Sequence, residues 1–191
     1  MAETPKFNPL IRHRHSTRMK GYDYSLAGAY FVTIATYQRI CIFGEVFNSA
    51  IRLNPYGNIA FEQWIRLAKR FRQSDFSTFV IMPNHIHGII CIARGAGEES
   101  HTDDVQITPL RPYLAPNVIP GSLGAIVRAY KAAVTYRINA MRGFTYQPVW
   151  QRNYYDHIIR NEKDYESIWN YIESNPKKWM DDRLNPCITS V

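Results

Sequence analysis

The sequence lacks several features that would place it in a familiar class of protein. Its three cysteines are odd in number and form no CxxC pair, which favours a reducing, cytoplasmic setting over a disulfide framework or a zinc ribbon. No run approaches the apolar length of a membrane span, and the N-terminus has no apolar stretch typical of a secretory signal. A GxxxxGK[ST] loop is also absent, so we expect neither a membrane nor a nucleotide cofactor as a partner.

Positive charge, by contrast, is in excess. The 23 Lys and Arg residues outnumber the 16 Asp and Glu residues, which gives a net charge of +7. Basic side chains release counterions from phosphates, so this charge is compatible with a nucleic-acid partner but does not identify one. We expect an exposed basic arm at 1–20, one domain over 21–182 and a short tail at 183–191. The arm contains Arg12, Arg14 and Arg18.

The pattern of apolar residues predicts four strands and three helices. Residues 94–120 interrupt it as a long Gly- and Pro-containing loop without periodicity. The order β-α-β-β-α-β, followed by one more helix, is that of the ferredoxin-like α+β fold with an antiparallel sheet. The strands are expected in AYFVTIATYQR (from Tyr30 to Tyr37), FSTFVIM, HIHGIICIA and VWQRNYYDHIIR, and the helices in NPYGNIAFEQWIRLAKRF, GSLGAIVRAYKAAVTYRINAMRG and NEKDYESIWNYIESN.

Helix signals add detail to this prediction. Ser122 and Asn161 are expected as N-caps, and Gly143 stands just beyond the end of the second helix. The buried stripe of the first helix is expected at Ile59, Trp64 or Ile65, Ala68 and Phe71, and that of the second at Ile126, Tyr130, Val134, Ile138 and Met141.

Two histidines stand one residue apart in the apolar run MPNHIHGII. Because strand side chains alternate between faces, His85 and His87 project from the same face while Ile86 points to the other. Two imidazoles placed in this way can share a divalent ion and leave coordination positions open. The alternative is a pair of histidines on a solvated sheet face. The hydrophobic character of the run indicates a central strand, which favours the open metal site.

The last helix carries a second pair of candidate residues. Tyr171 and Asn175 are four residues apart and therefore share one helical face. They could deliver a hydroxyl and an amide oxygen to the same ion. The alternative is that Tyr171 packs in the helix core with Ile168 and Ile172, since an aromatic residue at this spacing is typical of an amphipathic helix.

Three blocks of the sequence resemble one family of enzymes. FVIMPNHIHGII resembles the His-hydrophobe-His motif of the HUH single-strand DNA transposases. VWQRNYYDHIIRNEKDYESIWNYIESNP resembles the C-terminal signature of the REP-associated tyrosine transposases, and YDYSLAGAYFVTIATYQR resembles their first-strand region. The resemblance extends from about Tyr22 to Lys178, and its blocks occur in the same order as in that family.

The resemblance implies a complete set of functional expectations. His85 and His87 would bind Mg²⁺ or Mn²⁺, Tyr171 would be the nucleophile, and Asn175 would be a third ligand. The substrate would be a repetitive extragenic palindrome, a hairpin of single-stranded DNA cleaved and rejoined through a 5′-phosphotyrosine. The resemblance favours a monomer over a dimer.

DNA contacts are expected from two basic regions. One is the N-terminal arm, and the other is the polar face of the second helix, which carries Arg128 and Lys131. The alternative function is that of a non-catalytic, domesticated protein that binds hairpin DNA or RNA. Metal-dependent formation of a covalent adduct would discriminate between the two functions.

Overall fold

A computed structural model of the chain describes Met19 and residues 21–93, 119–143 and 147–186. Most of the basic arm, with Arg12, Arg14 and Arg18, lies outside the described residues, as does nearly all of the long loop expected at 94–120. In the part of the chain that is described, no helix combines the length and apolar character needed to cross a bilayer.

The described residues form seven strands and three α-helices. In chain order they are β1 Gly28–Ala35, β2 Gly44–Phe47, β3 Ala50–Leu53, α1 Pro55–Arg70, β4 Ser74–Asp75, β5 Phe79–Met82, β6 His85–Ile92, α2 Leu123–Arg142, β7 Tyr155–Ile159 and α3 Glu162–Ser174. Two 3₁₀ segments, Tyr37–Arg39 and Asn175–Asp181, follow β1 and α3 respectively.

The main sheet has the strand order of a ferredoxin-like fold. β6 and β1 are the central strands, β7 pairs with the free edge of β1, and β4 and β5 share the other edge of β6. All of these pairings are antiparallel. The predicted α+β fold with an antiparallel sheet and an additional C-terminal helix is therefore confirmed.

The two faces of the sheet carry cores of different size. α1 and α2 cover one face, where Trp64 is fully buried and stacks on Phe79 at a centroid distance of 5.4 Å. Gly88 makes this packing feasible, because a Cβ at that position would lie 2.4 Å from Cζ2 of Trp64. α3 covers part of the other face through a smaller cluster that contains Phe31, Ile89 and Ile172. The histidine pair lies on this second face.

The predicted helix ends agree with the structure. The side chains of Ser122 and Asn161 accept hydrogen bonds from the amides of Ala125 and Asp164, as N-caps do. Gly143 ends α2 with a φ of 70°, a left-handed conformation that glycine adopts without steric cost.

Several details of the prediction were wrong. Met141 is 55% exposed at the last turn of α2, and Ala68 is exposed on α1, where Trp64 and not Ile65 is buried. β1 ends before Thr36, since Tyr37 turns into a 3₁₀ segment.

The β2–β3 hairpin was not predicted. Its strands have only four residues each, and its turn uses Asn48 and Ser49 at positive φ instead of the Asn-Gly pair that marks such turns in a sequence.

Candidate metal centre

The histidine pair occupies the middle of the sheet and is buried. His85 and His87 lie on β6 between β1 and β5, with relative exposures of 0% and 2%. Their ring centroids are 4.4 Å apart on the face that α3 partly covers. This burial contradicts the alternative of a solvated sheet face. Two buried imidazoles need polar partners, because an unpaired polar group in a protein interior is costly.

Asn84 determines which nitrogen of His85 carries the proton. Its amide nitrogen donates to the carbonyl oxygens of Arg39 and Leu184, at 2.9 and 2.6 Å. The amide oxygen must therefore be the atom that faces Nδ1 of His85, at 2.8 Å. Since an amide oxygen only accepts, Nδ1–H of His85 is the donor. A neutral imidazole in this tautomer presents an unprotonated Nε2, which is the form that binds a metal ion.

The unprotonated Nε2 of His85 faces a carboxylate. Oδ2 of Asp182 lies 3.6 Å away, while Oδ1 of the same group accepts from the amide of Leu184 at 2.7 Å. Burial and the neighbouring His87 hold the pKa of His85 well below 6.5, so the ring is neutral. Both Nε2 of His85 and Oδ2 of Asp182 are buried without a hydrogen-bond partner among the described residues. Two facing acceptors repel each other unless a cation or a donor lies between them.

His87 contacts the proposed nucleophile. Its Nδ1 lies 2.8 Å from Oγ1 of Thr33, and its Nε2 lies 3.1 Å from the hydroxyl of Tyr171. Burial lowers the pKa of His87 to about 3, so this ring is also neutral at physiological pH. The neutral ring carries one proton, so it donates in one of these two contacts and accepts in the other. The second histidine therefore connects the candidate metal centre to a tyrosine oxygen.

Tyr171 and Asn175 come together at the end of α3. The Tyr171 side chain is 42% exposed, so the alternative of a core residue is wrong, while Ile172 beside it is fully buried. Partial burial raises the pKa of Tyr171, the carboxylate of Asp182 raises it further, and a hydrogen bond from Asn175 opposes them. Asn175 is 3% exposed, and its Oδ1 has no hydrogen-bond partner among the described residues.

The donor set fits a divalent cation. One ligand atom from each of His85, His87 and Asp182 can be chosen so that all lie within 4.8 Å of one another. Atoms that share an ion at 2.0–2.2 Å are about 3–4 Å apart, which is close to the observed separation. Imidazole nitrogens with carboxylate and amide oxygens suit ions such as Mn²⁺. Two buried acceptors of this set, Nε2 of His85 and Oδ2 of Asp182, have no hydrogen-bond partner among the described residues.

Sequence reasoning missed Asp182 and Asn84. Asp182 was placed at the domain boundary, and the sequence predicted no carboxylate near the histidine pair. No spacing rule could identify it, because the segment after α3 is folded back over β6 by contacts such as the one from Asn84 to Leu184. Asn84 stands between two predicted strands, where the sequence gives no sign that its side chain bonds to His85.

The basic residues of α2 do not belong to this centre. α2 packs on the opposite face of the sheet, and Arg128 is exposed there. The ammonium group of Lys131 donates to the carbonyl oxygens of Gln151 and Asn153, at 2.6 and 3.0 Å. Burial lowers the pKa of Lys131 to about 8. Lys131 thus helps to hold the segment that leads into β7.

Comparisons with known proteins agree with this fold. No protein-family model matches the sequence. Among solved structures, the chain is similar to a REP-associated tyrosine transposase bound to a REP hairpin, with a TM-score of 0.53 and 20% identity over 84% of this chain and 74% of that one. An uncharacterized protein of Haemophilus influenzae is 41% identical over 182 residues, covering 95% of this chain and 98% of the other. The chain therefore belongs to the same protein family as this Haemophilus influenzae protein.

Proposed function

We propose that the protein cleaves and rejoins single-stranded DNA at REP-type hairpins, through a covalent 5′-phosphotyrosine formed by Tyr171. The observation that carries the proposal is the 3.1 Å contact between the Tyr171 hydroxyl and Nε2 of His87. It places a partly exposed tyrosine oxygen beside a buried set of potential metal ligands. The hairpin complex of the structurally similar transposase supports the choice of DNA as substrate.

The reaction is a transesterification. The Tyr171 oxygen attacks the scissile phosphorus, an O–P bond to the tyrosine forms, and the bond to the 3′ oxygen breaks. The tyrosine loses its proton and the leaving 3′ oxygen gains one, so the products are a 5′-phosphotyrosine and a free 3′-hydroxyl. Attack by a 3′-hydroxyl on the adduct reverses these changes and joins strands. The phosphodiester bond is replaced by an equivalent ester, so no nucleotide cofactor is needed.

His85, His87 and Asp182 would hold a Mg²⁺ or Mn²⁺ ion, with the amide oxygen of Asn175 as a further ligand. When bound, the ion would polarise the scissile phosphate and stabilise charge on the leaving oxygen. Asp182 supplies the negative charge that two neutral imidazoles lack. Asn84 holds the Nε2 lone pair of His85 toward the ion, through its hydrogen bond to Nδ1 at 2.8 Å.

The protein also controls the proton on Tyr171. Without a nearby cation, burial and Asp182 raise the pKa of the phenol, so the hydroxyl stays protonated beside His87. The hydrogen bond from Asn175 favours the phenolate. Asn175 therefore acts on the nucleophile through this bond, and its buried Oδ1 is the atom that it would offer to the ion.

The proposal also includes the location of the protein, its oligomeric state and its DNA contacts. The protein acts as a cytoplasmic monomer, with residues 1–20 as a DNA-contacting arm and 21–182 as the catalytic domain. Arg12, Arg14 and Arg18 of the arm contact the DNA backbone, as does the exposed Arg128. Because the ammonium of Lys131 is held by two carbonyl groups, its share in DNA binding is smaller than that of the arm.

A cleavage assay tests this function. A labelled single-stranded hairpin from DNA flanking the gene is incubated with the full chain in Mg²⁺, in Mn²⁺ and in chelator. The expected product is a metal-dependent adduct that resists denaturation and is absent in Tyr171→Phe and His85→Ala. Tyr165→Phe is the matched control, because Tyr165 lies on the same helix but packs against the small core cluster.

Each result has a distinct meaning. Loss of the adduct in Tyr171→Phe with retention in Tyr165→Phe identifies the nucleophile. An adduct that persists in Tyr171→Phe would refute that residue and leave the chemistry in place. Tight hairpin binding without an adduct in any metal would overturn catalysis and support the non-catalytic binding function.

A further inference from the structure

We infer that Tyr155 on β7, together with Phe31, forms a stacking platform for one unpaired base next to the scissile phosphate. This inference rests on the proposed function and adds the position of a nucleotide to it. It concerns the part of the sheet face that α3 leaves open beside the histidine pair.

Strand register places Tyr155 in line with the candidate metal centre. Thr33 on β1 pairs with His87 on one side and with Tyr155 on the other. The three residues therefore form one row across adjacent strands and project from the same face. Since neighbouring strands are about 4.8 Å apart, Tyr155 is about 10 Å from His87, a distance that a nucleotide attached to the bound phosphate can span.

The face is aromatic between these two positions. The ring of Phe31 stacks on His87 at a centroid distance of 5.4 Å, and it meets the edges of Tyr155 and Tyr171 at 6.3 and 6.0 Å. Phe31 is 8% exposed, whereas Tyr155 and Tyr171 are 50% and 42% exposed. A buried ring thus forms a floor between two accessible tyrosine rings, one of which is the proposed nucleophile.

The rest of α3 does not cover this area. The small core cluster draws its helix residues from Tyr165, Ile168 and Ile172, which pack against Phe31 and Ile89. The next residue of β7 on this face, His157, is also exposed and pairs with Asp164 at the start of α3. The Tyr155 ring is therefore half-exposed on the part of the sheet face that α3 leaves open.

The chemistry of the area suits a nucleic-acid base. Every base presents a π-face, and stacking on an exposed aromatic side chain contributes to single-strand binding with little dependence on sequence. Exposed arginines, Arg152 and Arg160, flank β7 in the sequence. Asp156, the acidic residue within β7, is buried on the opposite face.

Fluorescence of 2-aminopurine tests the platform without requiring cleavage. Single-stranded oligonucleotides that contain the flanking hairpin carry 2-aminopurine at each unpaired position near the cleavage site in turn. They are titrated with the full-length Tyr171→Phe protein, so that no adduct forms. One position is expected to be quenched on binding. Tyr155→Ala removes that quench and raises Kd about tenfold, the effect of losing one stacked base.

Three variants make the result specific. Tyr155→Phe keeps the ring and should keep the quench, while Tyr155→Leu keeps the apolar contact with Phe31 and should lose it. Tyr136→Ala is the matched control, because Tyr136 is 60% exposed on α2, on the other side of the sheet. Unchanged melting temperatures show that the variants remain folded.

The possible outcomes separate this inference from the proposed function. An unchanged quench and Kd in Tyr155→Ala would overturn the platform, even if the wild-type protein forms an adduct. A lost quench with no adduct in the wild-type protein would support the platform and refute catalysis. Failure of the wild-type protein to bind the oligonucleotides would overturn both.

Discussion

Replacing Asp182 with Asn should stabilise the metal-free protein and at the same time weaken its response to metal. Oδ2 of Asp182 lies 3.6 Å from the unprotonated Nε2 of His85, and neither atom has a partner among the described residues. In Asp182→Asn, Oδ1 can still accept from Leu184, so the new NH₂ group takes the position that faces His85. A donor then replaces an acceptor at the contact.

The gain in the free energy of unfolding follows from replacing a contact between two acceptors with a hydrogen bond. A net hydrogen bond contributes about 1 kcal/mol, and a buried acceptor without a partner costs about 1–3 kcal/mol. The variant should therefore gain about 1–3 kcal/mol in chelator. At about 2–4 °C per kcal/mol for a domain of this size, its melting temperature should rise by about 2–12 °C.

Metal should stabilise the wild-type protein more than the variant. An ion at about 100 times its Kd stabilises the wild-type protein by about 2.7 kcal/mol, or about 5–11 °C. If loss of the carboxylate weakens binding about 100-fold, the same ion concentration stabilises the variant by only about 0.4 kcal/mol, or about 1–2 °C. The variant should thus be the more stable protein in chelator, while metal stabilises it by only about 0.4 kcal/mol against about 2.7 kcal/mol for the wild type.

Thermal unfolding in chelator and in a Mn²⁺ titration measures both quantities, and calorimetry of Mn²⁺ binding gives Kd directly. Asp181→Asn is the matched control, since Asp181 is exposed and its loss changes the net charge equally. A lower melting temperature for Asp182→Asn in chelator would show that the contact with His85 is favourable, and the tautomer argument would be wrong. An equal metal response in the two proteins would show that Asp182 is not a ligand.

Three further predictions concern the scaffold. Gly88→Ala should lower the free energy of unfolding in urea by about 1–3 kcal/mol, because its Cβ would lie 2.4 Å from Trp64; an unchanged midpoint would contradict this packing. Burial raises the pKa of Tyr130 well above 10.0, so above pH 10 the unfolded chain loses this proton while the folded protein keeps it. For this group, stability should fall by about 1 kcal/mol between pH 10 and pH 11. Tyr130→Phe should show a decline that is smaller by that amount in denaturation over the same range, and equal declines would be the contrary result. Asn161→Ala should lower the free energy of unfolding by about 1 kcal/mol, because it removes the N-cap of α3. Urea unfolding followed by circular dichroism measures this loss, and an unchanged midpoint would show that the cap is unimportant.

The local part of the structure could be read from the sequence. Helix caps such as Ser122 and Asn161, and the placement of His85 and His87 on one face, depend on residues within a few positions of one another. Strand alternation and helical periodicity act over the same short range. The resemblance of three blocks to the REP-associated transposases added the expected roles of Tyr171 and Asn175, which remain to be tested by the cleavage assay.

Local pattern and tertiary packing disagree at two helix positions. Met141 continues the apolar period of α2 into its last turn, but the side chain there is 55% exposed. Tyr171 continues the apolar period of α3 in the same way, and the open sheet face leaves it 42% exposed. A pattern records which residues share a helical face and not how much of that face is covered.

The sequence alone determined that two imidazoles share a face of a central strand, because side-chain alternation is a property of the backbone itself. Only the tertiary structure decided what those imidazoles meet. Asn84 orients His85 through carbonyl groups from two distant segments, and Asp182 reaches the same ring after the chain folds back beyond α3. Tyr155 enters the row of His87 through the pairing of β7 with β1. These contacts join residues far apart in the chain, and their geometry is set by sheet register and by packing, neither of which leaves a local signal in the sequence.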